Sequence, residues 1–298
     1  MPRERSIDDG QLPDRPLTQP SPLKGRGPIR AVLNDAAREL AAVSPTPRLD
    51  AELLMAHVIG ASREQLLLRH LDDPAPPGFD PLLARRRAHE PVAYITGRRA
   101  FWTIDLAVGP GVLIPRPDSE TLIKAAVAHF GAAGPAHVLD LGTGPGTLLL
   151  AALAQWPGAT GLGIDASATA LDYARANAET LGLAERATFQ LGDWAAGVTE
   201  RFDLILANPP YVGTGEVLPV SVRDFEPPAA LYAGRAGLGA YHVLLPQLPA
   251  RLAPGGVALV EIGASQGAAV SAIAAETGLK ASILQDLGQR DRVLLCRG

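Results

Sequence analysis

Val138-Leu139-Asp140-Leu141-Gly142-Thr143-Gly144-Pro145-Gly146 is the stretch on which the reading of the fold turns. An apolar run with the character of a buried strand leads into three glycines spaced two apart, and Thr147 to Gln155 then follows as an apolar helical segment. Strand, glycine turn and helix in that order open the nucleotide-binding half of a doubly wound α/β sheet. Glycines at 142, 144 and 146 let the backbone come close to a ligand.

The alternation continues downstream. Strands are predicted at Gly161 to Ile164, Ala187 to Leu191, Asp203 to Ala207 and Gly256 to Ile262, with a last pair at Lys280 to Gln285 and Arg292 to Cys296. Helices are predicted at Ala168 to Leu181, Leu238 to Leu252 and Gln266 to Thr277. Such repeats imply a mostly parallel sheet with helices on both faces. This Rossmann-like domain is expected over residues 119–298.

Upstream the pattern changes. Residues 1–27 are polar and broken by five prolines, and are expected to be a disordered tail. Residues 28–90 read as a small all-α domain. Ile29, Val32, Leu33, Ala36 and Leu40 have helical spacing; Asp50 caps a second helix that ends at Gly60; Ser62 and Gln65 have the spacing of a capping box; and a fourth helix runs from Pro81 to Ala88. Residues 91–118 form a link in which Ile104, Leu106 and Val108 alternate as in a hairpin. Asp118 or Ser119 then caps a helix over Thr121 to Phe130.

Composition narrows the classes of function. The chain has 298 residues, 47% of them hydrophobic, and a formal net charge of -4, which argues against nucleic acid as the main partner. Cys296 stands alone, so no internal disulfide forms and a reducing cytoplasm is the expected location. No apolar run reaches the ~20 residues that span a bilayer, and Arg3 and Arg5 are not followed by an apolar signal segment. The six histidines are scattered without metal-site spacing, so no metal is expected.

Three acidic residues mark three successive strand ends: Asp140 before the glycines, Asp165 after the second strand and Asp193 after the third. Asp165 is placed to accept hydrogen bonds from ribose hydroxyls. Asp193 can accept from an adenine amino group, and Trp194 can pack on the ring. The dinucleotide fingerprint requires a third glycine at 147, where this chain has threonine, which argues against NAD. A carboxylate at Asp140 suits the ammonium of S-adenosylmethionine. Asp140, Gly142, Thr143, Gly144, Pro145, Gly146, Asp165, Asp193, Trp194 and Asn208 are therefore the expected cofactor-binding set.

The fourth strand ends in Asn208-Pro209-Pro210-Tyr211. Two consecutive prolines cannot donate to a ladder, so the strand stops in a rigid corner. Such a corner also suits an ordinary turn. Beside a methyl donor it becomes a site for a planar NH2 group. The Asn208 side-chain oxygen and the Pro209 carbonyl can each accept one N–H, while Tyr211 covers the plane; Asn208, Pro209, Pro210 and Tyr211 are the expected catalytic set.

With these residues in view, the chain resembles the HemK/PrmC family, the protein-(glutamine-N5) methyltransferases that modify class I peptide chain release factors. The resemblance runs from about residue 30 to the end. It rests on Leu49-Asp50-Ala51-Glu52-Leu53-Leu54, Tyr94-Ile95-Thr96-Gly97, Phe101-Trp102, Ile114-Pro115-Arg116-Pro117-Asp118-Ser119-Glu120, the 140–146 loop, the 208–211 corner, Phe225-Glu226-Pro227, Pro254-Gly255-Gly256 and Asp291-Arg292. It implies a helical release-factor-binding domain before an S-adenosylmethionine-dependent methyltransferase domain, with the glutamine of a Gly-Gly-Gln motif as target. Pro145 and Ala236 depart from the family pattern. The competing readings are another protein glutamine, as in a ribosomal protein, an exocyclic amine of a nucleic-acid base, and an inactive binding module, which predicts losses at Asp165 or Asn208 that this chain does not have. Phe101 and Trp102 either line the site or pack between the domains.

Overall fold

The computed structural model describes residues 27–298; residues 1–26, nearly all of the expected tail, lie outside the described residues. The chain begins with α1 (Ile29–Leu40) and α2 (Pro47–Ile59), followed by α3 (Arg63–Gln65), which widens into a π turn over Leu66–His70, then α4 (Phe79–Arg87) and α5 (Val92–Thr96). The apolar stripe of α1 is buried as its spacing predicts, against Ala51, Leu54 and Met55 of α2 and Phe79 and Leu83 of α4. Ser62 and Gln65 close the predicted capping box. Gly60 adopts φ 67° to end α2.

Asp50 does not cap α2. Pro47 starts that helix one turn earlier, as proline does at a first helical position. Asp50 is instead buried and accepts from Arg86 Nε at 2.7 Å, while the other arms of Arg86 reach the carbonyls of Val43 and Glu90. One buried ion pair thus joins α2, α4 and the loop after α1.

A two-stranded hairpin, β1 (Arg98–Phe101) and β2 (Ile104–Ala107), follows. The main sheet holds β3 (His137–Leu141), β4 (Thr160–Asp165), β5 (Ala187–Leu191), β6 (Phe202–Ala207), β7 (Leu252–Glu261), β8 (Lys280–Gln285) and β9 (Asp291–Arg297) in the order β5-β4-β3-β6-β7-β9-β8. The neighbours from β5 through β7 are parallel, and β9 is antiparallel to both β7 and β8. The helices are α6 (Glu120–Phe130), α7 (Thr147–Gln155), α8 (Ala168–Thr180), α9 (Val220–Arg223), α10 (Gly239–Leu244), α11 (Leu248–Arg251) and α12 (Gly267–Glu276). Residues of α6, α7 and α8 pack in one core with the hairpin, and α10, α11 and α12 contribute to a second on the opposite face of the sheet.

Two further expectations change. The single helix predicted over Leu238 to Leu252 is three short segments, because Pro246 and Pro249 each remove a helix hydrogen-bond donor. Neither Asp118 nor Ser119 caps α6 through its side chain. A 3-10 turn at Pro117–Ser119 leads into that helix, Asp118 pairs with Arg292 at 3.1 Å, and the Ser119 hydroxyl is engaged at the site described below.

Removing one partner of a buried pair strands the other charge, at a cost of roughly 3–5 kcal/mol. Asp50→Ala is expected near the lower end, about 3 kcal/mol, because two carbonyls still receive Arg86. Denaturant unfolding measures it, and a loss below ~1 kcal/mol would show that the pair is not what holds these helices together.

Candidate active site

The sheet order reverses between β3 and β6, and a cavity of about 350 Å³ opens at the carboxyl ends of β3, β4 and β6. That volume falls within the ~300–1,000 Å³ of small-molecule sites, and the place is where open α/β sheets bind ligands. Its floor is the glycine turn. Gly142, Gly144 and Gly146 have φ of 73°, 56° and 85°, a region other residues enter only with strain. At Gly146 a Cβ would also stand 2.7 Å from Leu150, so the turn and the start of α7 admit only glycine there.

Asp140 is buried at the centre of this floor. Its Oδ2 accepts from the Thr143 hydroxyl at 2.6 Å and from the Leu149 amide at 3.1 Å, whereas Oδ1 has no partner. Burial pushes its carboxyl up to about 7; the two donors pull the other way, and Asp165 adds a like charge. Asp165, half-buried, accepts from the Gly144 amide and the Ser167 amide, each at 2.8 Å. It therefore orders the glycine turn from the neighbouring strand. Asp193 is exposed at the cavity wall, and Trp194 beside it takes φ 51° and packs near Gly142.

Asn208 lines the same cavity and donates its Nδ2 to Ser119 Oγ at 3.1 Å. Of the remaining corner residues, Pro210 lines the cavity, while Pro209 and Tyr211 are not part of its wall. Tyr211 packs into the second core, with its hydroxyl 3.4 Å from Glu261 Oε1. Gly146 likewise stands behind the wall, whereas Gly142, Thr143, Gly144 and Pro145 form it.

Several residues at the site were not anticipated as part of it. Ser119 is buried in the cavity wall. Glu261, at the end of β7, is buried with Oε2 unpartnered, and burial pushes its carboxyl up to about 7 against the pull of Ser119, Arg292 and Tyr211. Glu226 is buried too; it accepts from the Ile114 amide at 2.9 Å and from Arg116 at 2.5 Å. This explains the conjunction of Pro115-Arg116-Pro117 with Phe225-Glu226-Pro227: both segments wall the cavity through Pro115 and Pro227, and the ion pair ties them together. Asn177 of α8 donates to the carbonyls of Ala107 and Pro145, and so fastens the hairpin to the glycine turn. The Tyr94 hydroxyl donates to the Val112 carbonyl, and Val112 lines the cavity. Ser, Glu and Asn paired over 32 to 112 positions carry no local signal.

Phe101 and Trp102 do not line the cavity. Phe101 is buried in the first core, and Trp102 donates its indole N–H to Gln155 of α7 at 3.1 Å. They anchor the hairpin on the sheet domain's helices. Among the described residues no group of three or more His, Cys, Asp or Glu could hold a metal, and no helix is long and apolar enough to cross a membrane.

Comparisons with known proteins bear on the family and the fold. Residues 31–97 match the family model described as PrmC N-terminal domain, and residues 135–261 match the one described as Methyltransferase domain. In fold, the chain superposes on a methyltransferase from Pyrococcus furiosus with a TM-score of 0.51 at 20% identity, covering 72% of this chain and 95% of that one. It is 45% identical over 257 residues to a release factor glutamine methyltransferase of Rhodospirillum rubrum, covering 84% of this chain and 79% of that one. The enzyme of the same name from Cereibacter sphaeroides is 45% identical over 255 residues, covering 83% and 90%. Identity at that level across most of both proteins places the chain in the release factor glutamine methyltransferase family.

Proposed function

We infer that this protein transfers the methyl group of S-adenosylmethionine to the side-chain amide nitrogen of a release-factor glutamine. The observation that carries the reading is Asn208 at the cavity wall with its NH2 committed to Ser119, which leaves Oδ1 as an acceptor beside the glycine turn. The finer assignment is the glutamine of a Gly-Gly-Gln motif in a class I release factor. The helical domain over residues 28–90 would bind that factor, and the link over 91–118 would join it to the methyltransferase domain. The acceptor is a protein rather than a nucleic acid, and the enzyme works in the cytoplasm.

The cavity suits the cofactor. Asp140 Oδ1 is a buried acceptor without a donor, which is what an ammonium supplies. The glycine turn gives room for close backbone approach. Asp165 keeps lone pairs for ribose hydroxyls beyond its two backbone donors. Asp193 and Trp194 stand where an adenine edge and face would lie. Bound there, S-adenosylmethionine supplies an electrophilic methyl group on a positively charged sulfur.

The chain's own contribution is position. An amide nitrogen is a weak nucleophile because its lone pair is delocalised. Asn208 Oδ1 and the Pro209 carbonyl would each accept one N–H of the target and turn its nitrogen toward the methyl carbon. Tyr211, with its ring held in the core, stiffens the corner. The consecutive prolines give it a backbone that cannot relax into a ladder.

Asn208→Ala is expected to lower turnover at least ~100-fold and to affect S-adenosylmethionine affinity much less, since it removes the partner of the acceptor amide while the glycine turn, Asp140 and Asp165 remain. Mass spectrometry of release factor, ribosomal protein and RNA incubated with labelled cofactor reads the acceptor. Label on RNA or ribosomal protein but not on a release-factor glutamine would overturn the assignment. Asp165→Ala should weaken cofactor binding by at least ~10-fold in calorimetry, by loosening the turn as well as losing the ribose contact; unchanged affinity would remove Asp165 from the site.

Asp140 offers a test through pH. Its folded carboxyl titrates near 7, above the ordinary 3.8. Between about 4 and 7 the folded chain keeps a proton that the unfolded chain has released. Stability from this group therefore falls as pH rises through that window, and its full cost is present above about 7. Asp140→Asn should thus raise the melting temperature of the cofactor-free protein at pH 8, with the gain vanishing toward pH 4, while it weakens cofactor binding. A variant that is no more stable at pH 8 would show that the carboxylate is not strained by burial.

A further inference from the structure

Gln266 stands at the cap position of α12, yet its side chain makes no cap bond there. The amide is spent on main chain elsewhere. Its Oε1 accepts from the Gly263 amide at 2.9 Å, and its Nε2 donates to the Tyr211 carbonyl at 3.0 Å and to the Gly237 carbonyl at 3.3 Å. The partners at both ends have roles that cannot be exchanged. A backbone N–H only donates and a carbonyl only accepts, so the orientation of this side-chain amide is fixed. The Tyr241 hydroxyl, which donates to the Glu261 carbonyl at 3.0 Å, lies 3.4 Å from Oε1. The space around the Tyr211 carbonyl leaves room for nothing larger than hydrogen at Gly237. A Cβ there would stand 2.1 Å from that oxygen and 2.8 Å from Gln266 Nε2.

Tyr211 closes the corner. At the corner's start, Ala207 is paired with Leu141 of β3 and Val260 of β7, so the sheet holds that end. At its far end the chain leaves the sheet, and the Val212 amide donates to the Leu231 carbonyl. Gln266 is the group that ties the far end back, from the loop that follows β7. Pro209 and Pro210 lie between the two ends with φ locked by their rings. A shift at Tyr211 therefore passes to the Pro209 carbonyl and to Asn208 instead of being absorbed on the way.

We propose that Gln266 is a positioning residue for methyl transfer, and that by tethering the Tyr211 carbonyl to the loop after β7 it holds Asn208 and the Pro209 carbonyl at the acceptor amide. The proposal rests on the reading of the corner as the amide-binding group. Gln266 is not part of the cavity wall, so it acts through the corner and not on a ligand. Two substitutions separate its bonds. Gln266→Glu keeps an oxygen for the Gly263 amide and sets its second oxygen against the Tyr211 carbonyl, so the tether is replaced by repulsion. Gln266→Met keeps the approximate volume and removes both bonds.

The experiment measures kcat and KM on a release factor with labelled S-adenosylmethionine, and cofactor affinity by calorimetry, for the full chain and its Gln266→Glu, Gln266→Met and Asn208→Ala variants. The value of kcat is expected to fall about 10-fold in Gln266→Met and about 100-fold in Gln266→Glu, since a misplacement of about 1 Å is enough for such a loss. KM for the release factor and cofactor affinity should stay within about threefold of the parent, because the interaction lost is one that serves the transition state. A role confined to the loop after β7 gives the opposite order: Gln266→Glu retains the Gly263 bond and works like the parent, while Gln266→Met does not. That order overturns the proposal, and so does a fall in cofactor affinity as large as the fall in kcat. If Asn208→Ala is inactive while both Gln266 variants keep kcat within about twofold of the parent, the tether is overturned and the reading of Asn208 stands. If Asn208→Ala is itself active, the reading of the corner falls and the role of Gln266 with it. Should one Gln266 variant fail to fold, the other decides alone, and an undiminished kcat in it overturns the proposal.

Discussion

The reversal of strand order between β3 and β6 is the constraint on which the site depends. Helices that follow β3 pack on one face of the sheet, and those that follow β6 pack on the other. Two neighbouring strands therefore send their chains in opposite directions, and no main chain fills the gap above their ends. Everything the site needs is hung around that gap: the glycine turn from β3, Asp165 from β4 and Asn208 from β6. The sheet supplies rigidity, since β3 and β6 are paired in parallel register and their side chains from Leu204 to Ala207 are buried.

Two carboxylates are held against the preference of their surroundings. Asp140 and Glu261 sit in the buried ends of β3 and β7, and burial raises the carboxyl of each to about 7. A chain selected for stability alone would carry asparagine and glutamine there. Each has one oxygen without a partner, Oδ1 of Asp140 and Oε2 of Glu261. The two orphans differ in what they face. Asp140 lines the cavity and is open to a ligand cation, whereas Glu261 does not line it and stands among the protein's own groups, Tyr211, Arg292, Ser119 and Asp118. At Asp140 that cost falls where a ligand cation can offset it.

The fold was legible because it rests on local patterns. The β3 strand, the α7 helix, and β5 and β8 fall at the residues that apolar runs and glycine turns predict. Asn208 and Asp165 were legible for the same reason, being polar residues at the ends of apolar strands. What stayed hidden depends on pairing across the chain. Glu226 and Arg116 are 110 positions apart, and Ser119 and Asn208 are 89 apart. Ser119 looked like a helix cap because serine before a helix usually is one, and tertiary contacts took its hydroxyl elsewhere. Asp50 misled in the same way, since its charge is used by Arg86 from another helix. Pro246 and Pro249 were visible in the sequence, but the apolar spacing around them outweighed them in the reading of one long helix.

The link between the helical unit and the sheet is where recognition and chemistry can meet. Consecutive residues of α5 serve different cores: Tyr94 packs with the sheet's helices and Ile95 with the helical unit. Tyr94 then donates to Val112, a residue of the cavity wall, and the following segment carries Pro115 and Ser119 into that wall. Glu226 and Arg292 fasten it through the Ile114 amide, Arg116 and Asp118. A chain with prolines at 110, 115 and 117 and anchors along its length has little freedom to move independently of either end. Positional catalysis tolerates errors of well under an ångström. A partner held on the helical unit would therefore be presented to the corner through a stiff connection, so the precision of a weak nucleophile's approach can be set by protein–protein contacts far from the nitrogen that reacts.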